Sequence, residues 1–372
     1  MKFKFWIISI LILFIAGIML TSCSTFGTRP EGVELINFKG SDQYNKEKGV
    51  FENRRPTLID EMKKKSMSFK LLKEWFSTRK NSVPLSLLPE IKPNLKDFMN
   101  SSSDLKIIWF GHSTFLLNMD GTIVLVDPVF GNSAAPFSFM VKRFQPPVLN
   151  LEELPKIDIV LISHDHYDHL EMESIKYFKD KDVTFVTPLG VGSYLKGWGV
   201  DSNNIIEKDW WQSIILKGVE FTAAPAQHFS GRDGIHNNET LWASWIIKSS
   251  HHNLYFSGDS GYDTHFKEIG ERYGPFDVTF LENGQYNKNW KYVHMFPSEA
   301  IEAFKDLKGR KLFPVHWGMF ELSLHSWFDP IQKISKLAKE NNINLLAPKI
   351  GQVVNASKNT EIEYWWDTVK KE

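Results

Sequence analysis

The sequence predicts a layered α/β fold in a single catalytic body that extends from residue 104 to residue 372. Two observations indicate this fold class: apolar runs of strand length recur through the region, and stretches with helical periodicity lie between them. Because strands occur both early and late with helices in between, the elements are expected to pack as layers of sheet and helix. No internal repeat is visible in the sequence.

The predicted strands begin with LKIIWF and TIVLVD, which flank an Asp120-Gly121 pair typical of a hairpin turn. Further strand-like runs are IDIVLIS, VTFVTP, VEFTAAP, LWASWII, NLYFSG, FDVTFL and KLFPVH. Proline in the first turn predicts two helices, because its fixed φ suits that position. One helix opens at Pro297 and extends to about Lys308, and the other opens at Pro330.

Composition excludes several classes of protein. The chain has 372 residues, of which 42% are hydrophobic and 24% charged, so it can bury a sizeable core. Its 44 Lys+Arg balance 44 Asp+Glu, and this neutrality gives no attraction to nucleic acid, which is therefore not an expected partner. The single cysteine excludes a disulfide framework and a cysteine-rich metal site, so any metal must be held by histidine and carboxylate.

Residues 1–23 predict a signal sequence, since early lysines precede an apolar run from Phe5 to Leu20. The run ends in Leu-Thr-Ser-Cys, which resembles the lipobox of bacterial lipoproteins and implies lipidation of Cys23. The alternative is an inert thiol behind an uncleaved anchor helix. In either case we expect the body in the bacterial cell envelope, held to a membrane on the periplasmic or outer-membrane side; acyl chains would be the anchor of a lipoprotein.

Two further segments precede the catalytic body. Residues 24–59 are polar and lack periodicity, which predicts a tether without a fold of its own. Residues 60–103 predict a helical extension, because the apolar residues between Asp60 and Lys80 fall near helical spacing among lysines. Either this helix lies on a membrane as a basic amphipathic helix, or it packs its apolar stripe on the catalytic body.

The strongest chemical signal is the run His-Asp-His-Tyr-Asp-His at residues 164–169, directly after the strand IDIVLIS. Histidine occupies 12 of 372 positions, so three at fixed offsets beside an aspartate rarely arise by chance. Imidazole and carboxylate are the ligands that zinc accepts where thiolate is absent. In an extended loop, His164 and His166 project to one side and can hold one ion, while Asp168 and His169 turn toward a second.

The remaining ligand candidates each follow an apolar strand. His228 follows VEFTAAPAQ, Asp259 follows NLYFSG and His316 follows KLFPV. Taken alone, each is more often structural, but strands that converge in one sheet system would bring all three to one edge, beside the HDHYDH run. The other histidines away from this context are interpreted as surface or packing residues: His236, His251, His252, His265 and His325.

From about Trp109 to Gln352 the sequence resembles the metallo-β-lactamase-fold hydrolases. The resemblance is carried by GHSTFLL, VDPVF, LISHDHYDHLE, EKDWWQS, PAQHFSGR, LWASW, FSGDSGYD, RYGPFD and VHWGMF. Within that superfamily the Asp-Trp-Trp, Pro-Ala-Gln-His and Gly-Asp-Ser-Gly-Tyr segments are most similar to the phospholipases D that hydrolyse N-acyl phosphatidylethanolamine. The resemblance implies an αβ/βα sandwich, with two sheets face to face, helices outside and metals at one edge.

The same resemblance implies two Zn²⁺ ions per chain. The implied ligands form two groups that share one carboxylate: His164, His166 and His228 for one ion, Asp168, His169 and His316 for the other, and Asp259 bridging both. The mechanistic hypothesis is that a hydroxide bridging the metals attacks the phosphorus of a phosphodiester without a covalent enzyme intermediate, which gives Asp168 and Asp259 a catalytic part.

Three more residues are assigned by resemblance. His294, in KYVHMFPSE, is similar in place to a histidine that the family keeps near the substrate phosphate, so we expect it to contact phosphate or protonate the leaving group. The alternative is a structural role at the helix entry. His112 and Asp127 are expected to orient metal ligands by hydrogen bonds without touching metal.

The resemblance implies a phospholipid substrate, cleaved to phosphatidic acid and an N-acylethanolamine, and a lipid anchor would suit it. One departure is LENGQYNKNW, which replaces the family's Pro-Ile-Gly-Ala-Tyr character and puts Glu282, Asn283 and Gln285 beside the expected pocket. The first alternative is a lactonase or sugar-phosphate hydrolase of the same fold. The second is a non-catalytic zinc-binding lipoprotein, disfavoured because the ligands are dispersed along the chain.

Overall fold

Residues 25–66, 80–100, 103–358 and 361–369 of this computed structural model are described, and they form two seven-stranded sheets and one small hairpin. In spatial order the first sheet contains β16 (Val353–Asn355), β3 (Lys106–Trp109), β4 (Phe115–Met119), β5 (Thr122–Val126), β6 (Ile159–Leu161), β7 (Thr184–Pro188) and β8 (Ile205–Lys208). The second contains β15 (Asn344–Leu345), β14 (Lys311–Val315), β13 (Val278–Glu282), β12 (Asn253–Phe256), β11 (Ser244–Lys248), β10 (Val219–Ala224) and β9 (Ser213–Leu216). The hairpin pairs β1 (Tyr44–Asn45) with β2 (Val50–Phe51).

The α-helices of the described residues precede, separate and follow these strands. In chain order they are α1 (Val33–Phe38), α2 (Pro56–Ser66), α3 (Leu95–Met99), α4 (Met172–Phe178), α5 (Val191–Gly197), α6 (His265–Arg272), α7 (Pro297–Asp306) and α8 (Asp329–Glu340).

The two large sheets share one pattern of pairing. Each contains three consecutive antiparallel pairings and three consecutive parallel ones, and the change comes at β5 in the first sheet and at β12 in the second. Strand β16 returns from the end of the chain to complete the first sheet. The two halves therefore repeat in topology, although the sequence shows no repeat.

The sheets pack face to face around an aromatic core. Phe115 of β4 stacks on Phe280 of β13, with ring centroids 4.3 Å apart and planes 6° apart. Strands β4 and β5 are buried at every residue because the second sheet covers one face and helices α4 and α5 the other. The predicted αβ/βα sandwich is confirmed.

Several predicted elements are confirmed. The helix at Pro297 is α7, and Pro330 lies in the first turn of α8. Asp120 and Gly121 form the predicted turn, both with positive φ, but the strand before them is β4 rather than the LKIIWF run, which is β3. Strand β4 lies in GHSTFLLNM and was not predicted from the sequence, because it starts directly after polar residues and shows no clear apolar run.

The expectation that residues 24–59 form a tether without a fold is wrong over residues 25–59. This segment contains α1 and the β1–β2 hairpin, and its Phe38 and Phe51 are fully buried with ring centroids 5.1 Å apart. The backbone N–H of Phe51 donates to the carbonyl of Asn238 at 2.7 Å. Two aromatic side chains in a polar segment have no periodicity for sequence analysis to detect, yet they fix the segment to the catalytic body.

The helix expected between Asp60 and Lys80 is described only in part, as α2. Within α2, Ile59 and Met62 pack against Val293, so this part of the helix packs on the catalytic body rather than on a membrane. Residues 67–79 lie outside the described residues, as do residues 1–24 with Cys23. In the described ranges no helix combines the length and apolar character needed to cross a bilayer.

Candidate metal centre

The carboxyl ends of six strands from both sheets meet at one edge of the sandwich. Loops after β3, β5 and β6 carry His112, Asp127 and the 164–169 run, and loops after β10, β12 and β14 carry His228, Asp259 and His316. Two backbone hydrogen bonds of 2.9 Å join the sheets here, from His112 N to the Trp317 carbonyl and from His316 N to the His112 carbonyl. The structure thus brings all seven predicted ligands together.

Three histidines form the first group. His166 Nδ1 lies 2.9 Å from His164 Nε2 and 3.1 Å from His228 Nε2. The Oδ2 atom of Asp259 is 3.8 Å from His164 Nε2 and 3.6 Å from His228 Nε2. These four ligand atoms lie within 4.8 Å of one another, a cluster of the size that one metal ion can join.

The second group lies on the other side of Asp259. Its Oδ1 atom is 3.2 Å from His169 Nε2 and 3.1 Å from His316 Nδ1. Asp168 Oδ2 is 3.6 Å from His169 Nε2 and 4.0 Å from His316 Nε2. His112 also falls within 4.8 Å of this group, with Nε2 2.8 Å from Asp168 Oδ2.

Hydrogen bonds behind three of the histidines fix which ring nitrogen faces the cluster. His169 Nδ1 donates to Asp127 Oδ2 at 2.6 Å, and His228 Nδ1 donates to the Val293 carbonyl at 3.0 Å. The Ser163 hydroxyl donates to the same Asp127 oxygen at 2.6 Å and accepts from His164 Nδ1 at 3.0 Å. With Nδ1 engaged as the donor, Nε2 of each ring faces the cluster and is the nitrogen that a metal would bind.

The places of His112 and Asp127 agree with orienting roles. Asp127 is fully buried and accepts hydrogen bonds from Ser163 N, the Ser163 hydroxyl and His169. His112 donates to Asp168, a predicted ligand. Both residues, and His316, have positive φ, between 40° and 67°, a conformation that costs energy in non-glycine residues and is concentrated at functional sites.

Two glycines allow close approach of backbone at the site. Gly258, before Asp259, has φ 53°, and a Cβ there would be 2.9 Å from the Ala243 carbonyl oxygen. A Cβ on Gly284 would be 1.3 Å from the carbonyl oxygen of His316. Gly284 therefore allows the LENGQY segment, which differs from the family's sequence, to pack directly against the loop that carries His316.

Sequence reasoning missed Asn53, which holds the backbone of a predicted ligand. Its amide Nδ2 donates to the His228 carbonyl at 2.7 Å, and its Oδ1 accepts the His228 N–H at 3.0 Å. Asn53 is buried and lies in the segment expected to be a tether. A single asparagine among polar residues carries no sequence signal for such a contact.

Burial and neighbouring charges set the ionisation of the cluster. Burial, reinforced by neighbouring imidazoles, holds the pKa of His164 well below its usual range. Burial alone would raise the pKa of Asp168 and Asp259, but the adjacent His169 and other histidines outweigh it and lower both pKa values well below the usual range. Burial would lower the pKa of His169, but Asp259, Asp168 and Asp127 raise it well above that of free histidine.

The donor set fits divalent metal ions. Asp259 Oδ1 and His169 Nε2 are buried without a hydrogen-bond partner within the described part of the chain. Burying a polar atom without a partner costs free energy. In addition, three carboxylates favour a positive charge on His169. A cation bound there would satisfy these atoms and take the place of that charge. The His/Asp cluster can therefore hold metal.

A cavity of about 360 Å³ opens above the cluster. Its floor is formed by six predicted site residues: His166, Asp168, His228, Asp259, His294 and His316. Its walls are mainly apolar and come from both the catalytic body and the N-terminal segment: Met62, Phe229, Trp290, Val293 and Leu322, with Gln285 as a polar member.

The LENGQY segment differs from expectation at two residues, because neither Asn283 nor Glu282 lines the cavity. Gln285 lines the cavity as expected, but Asn283 is fully buried and donates to the Pro330 carbonyl at 3.0 Å. The expectation that Asn283 borders the pocket is therefore wrong, because its side chain turns toward α8. Glu282 is also fully buried, and its Oε2 lies 3.4 Å from His294 Nδ1.

Comparison with known proteins identifies the family of the chain. The model of the family described as "Beta-lactamase superfamily domain" matches residues 122–317. The protein Rv0906 of Mycobacterium tuberculosis H37Rv is 37% identical over 323 residues, which cover 86% of this chain and 86% of that protein.

Two further similarities bear on fold and relatives. N-acyl-phosphatidylethanolamine-hydrolyzing phospholipase D 1 of Caenorhabditis elegans is 33% identical over 290 residues, covering 73% of this chain and 81% of that protein. Igni18, a metallo hydrolase from Ignicoccus hospitalis, superposes with a TM-score of 0.54 and 23% identity over 67% of this chain and 97% of its own. That likeness shows the shared fold.

We predict that Asp127→Asn lowers metal affinity by about 10- to 100-fold, the usual effect of removing a partner behind a metal ligand. The carboxylate accepts at both oxygens, from Ser163 N at Oδ1 and from the Ser163 hydroxyl and His169 Nδ1 at Oδ2, whereas the amide has one accepting oxygen and must lose one side of this arrangement. Competition with a chelating dye measures the change. Asp277→Asn is the matched control, because Asp277 also accepts a backbone N–H, at 2.9 Å from Asn253 N, but lies at the opposite end of β12. Equal affinities in all three proteins would contradict the orienting role.

Proposed function

The chain belongs to the β-lactamase superfamily of metal-dependent hydrolases, and we propose that it is a phosphodiesterase of phospholipase D type. Its proposed substrates are N-acyl phosphatidylethanolamine-like phospholipids. The products are then phosphatidic acid and an N-acylethanolamine.

One observation carries this proposal: the cavity above the metal-binding cluster has a polar floor and apolar walls. A phosphodiester has a charged centre that suits the floor, and the acyl chains beside it suit walls built from Met62, Phe229, Trp290 and Leu322. A small polar sugar derivative would leave these walls without a partner. The similarity to the C. elegans enzyme named for this lipid, over 73% of the chain, gives independent support.

We propose two zinc ions at the cluster, one for each ligand group, with Asp259 between them. Bound there, they would supply Lewis-acid polarisation of a phosphoryl oxygen and water ionised at neutral pH. The chain's own contribution is to hold imidazoles and ionised carboxylates in place: Asp127 and Ser163 orient the histidines, and His112 orients Asp168.

His294 is the proposed proton donor to the leaving group. Its ring lies against the cluster, stacked on His316 with centroids 5.3 Å apart, and lines the cavity. The Glu282 Oε2 atom lies 3.4 Å from His294 Nδ1, so a buried carboxylate stands ready to pair with the imidazolium form. A protonated imidazole at the cavity suits departure of an alkoxide, which is a poor leaving group unless it is protonated.

We also propose that the protein is a lipoprotein anchored through Cys23. Thr25, the first described residue, lies between two loops: Arg232 donates to its carbonyl at 2.9 Å, and its hydroxyl donates to the Pro136 carbonyl at 3.5 Å. The same loops expose Phe139 (71%) and Ile235 (78%). Exposed apolar side chains beside the anchor's attachment point would enter the bilayer interface.

We predict that the detergent-solubilised, zinc-loaded full chain releases phosphatidic acid from N-acyl phosphatidylethanolamine faster than from phosphatidylethanolamine. In H₂¹⁸O the label should enter phosphatidic acid, because water attacks phosphorus. Mass spectrometry of the products measures both. Asp259→Asn should lose more than about 100-fold in kcat/KM, beyond the usual effect of outer partners, since it removes a ligand.

Asp306→Asn is the control, because Asp306 accepts from the Tyr262 hydroxyl at 2.8 Å outside the site. If the protein binds zinc but turns over only lactones or sugar phosphates, the phospholipase proposal fails and a lactonase or sugar-phosphate hydrolase takes its place. Bound zinc with no turnover of any substrate would leave a zinc-binding lipoprotein.

We predict that Cys23→Ser abolishes incorporation of radiolabelled palmitate when the full chain is expressed in a bacterial host. Serine cannot form the thioether that carries the lipid, so no acyl anchor forms. Labelled protein on a gel reports the outcome, with wild type and an unlabelled immunoblot as controls for expression. Equal labelling of both proteins would contradict anchoring at Cys23.

A further inference from the structure

The buried carboxylate of Glu282 lies next to the cavity histidine. Glu282 is the last residue of β13 and is fully buried. Its Oε1 accepts the backbone N–H of Met295, and its Oε2 lies 3.4 Å from His294 Nδ1. The carboxylate is thus fixed by the backbone on one side and faces the imidazole on the other.

Among the described residues, the contact with each other is the one polar contact left to Glu282 Oε2 and His294 Nδ1. Among the described residues, neither Glu282 Oε2 nor His294 Nδ1 has a hydrogen-bond partner. A buried carboxylate is costly unless it is paired, and an apolar residue would fill the end of β13 without that cost. The pairing with His294 therefore accounts for a glutamate at this position.

The imidazole presents its other edge to the cavity. His294 lines the cavity and keeps 13% of its side chain exposed, while Nδ1 is buried against Glu282. Its ring lies edge-on to His228, with centroids 5.1 Å apart, and parallel to His316. Neighbouring rings and the carboxylate restrict the orientation of the imidazole, and one of its nitrogens lies within 4.8 Å of ligand atoms of Asp259 and His316.

We propose that Glu282 is the positioning residue of His294 and, together with it, forms the unit that protonates the leaving group. This inference rests on the proposed phosphodiester hydrolysis and extends it to a residue outside the family's pattern. Glu282 itself does not touch substrate. Through the 3.4 Å ion-pair contact it would keep the Nδ1 edge of the ring toward the carboxylate and leave Nε2–H for the leaving oxygen.

The proposed step balances as follows. A hydroxide oxygen forms a bond to phosphorus, and the bond between phosphorus and the alcohol oxygen breaks with its electron pair on that oxygen. The oxygen takes the proton from His294 Nε2 and departs as the neutral alcohol. His294 becomes neutral and keeps Nδ1–H toward Glu282, whose charge does not change.

Leaving-group dependence tests this unit, because a nitrophenolate leaves without protonation whereas an alkoxide does not. In zinc-loaded full-length Glu282→Gln, kcat for an alkyl phosphodiester should fall about 10- to 100-fold, and kcat for a 4-nitrophenyl phosphodiester less than about threefold, with both KM values nearly unchanged. The amide oxygen still accepts the Met295 N–H, so the fold is retained. His294→Gln should show the same selective loss, and the double variant no further loss.

Glu299→Gln is the matched control, because Glu299 likewise accepts a backbone N–H, from Phe296 at 2.8 Å, one turn into α7 and away from the imidazole. It should behave as wild type on both substrates. Equal losses on the alkyl and nitrophenyl diesters, or no loss in Glu282→Gln, overturn the proposal. If Glu282→Gln is unstable, Glu282→Asp takes its place. Selective loss on the alkyl diester in His294→Gln, with activity retained in Glu282→Asp, supports the proposal, and any other combination overturns it.

Parallel assays with alkyl and nitrophenyl carboxylic esters separate this proposal from the function it rests on. If wild type cleaves esters but no diester, the phospholipase proposal fails. The activity losses of Glu282→Gln on alkyl and nitrophenyl esters then still support or overturn the Glu282–His294 unit. If wild type cleaves diesters and the ratio does not change, only the Glu282 proposal fails. No turnover of either class overturns both.

Discussion

The Asp259 carboxylate is the interaction on which the site depends. One of its oxygens faces His164 and His228 and the other faces His169 and His316, at 3.1 to 3.8 Å. An ionised carboxylate in this buried place is stable only because histidines surround it. The same arrangement gives two adjacent sets of ligand atoms that share one residue, so any change at Asp259 affects both.

The fold supplies this arrangement by bringing the ends of two sheets to a common edge. Each ligand comes from a short loop after a buried strand, so rigid elements hold it and hydrogen bonds such as that of Asp127 fix its orientation. The N-terminal segment completes the site. Asn53 holds the His228 backbone and Met62 forms part of the cavity wall, so a segment that would join the lipid anchor to the body also shapes the space for substrate.

Sequence alone predicted the ligand loops because their signal is local. The run from His164 to His169 is contiguous, and Asp259 directly follows a recognisable strand. The contacts of Asn53 and the pairing of Glu282 with His294 join residues far apart or depend on the register of β13 against the loop before α7, and no local pattern encodes them. Likewise β4 was missed because polar residues precede it, while the sandwich itself followed from the resemblance.

The most direct test of this account is anomalous X-ray diffraction at the zinc edge from crystals of the zinc-loaded protein. Two anomalous peaks are expected in each chain, one beside each carboxylate oxygen of Asp259, bounded by the two histidine groups. A single peak, or none within this cluster while the surrounding residues keep their positions, would contradict a dinuclear centre and with it the proposed chemistry.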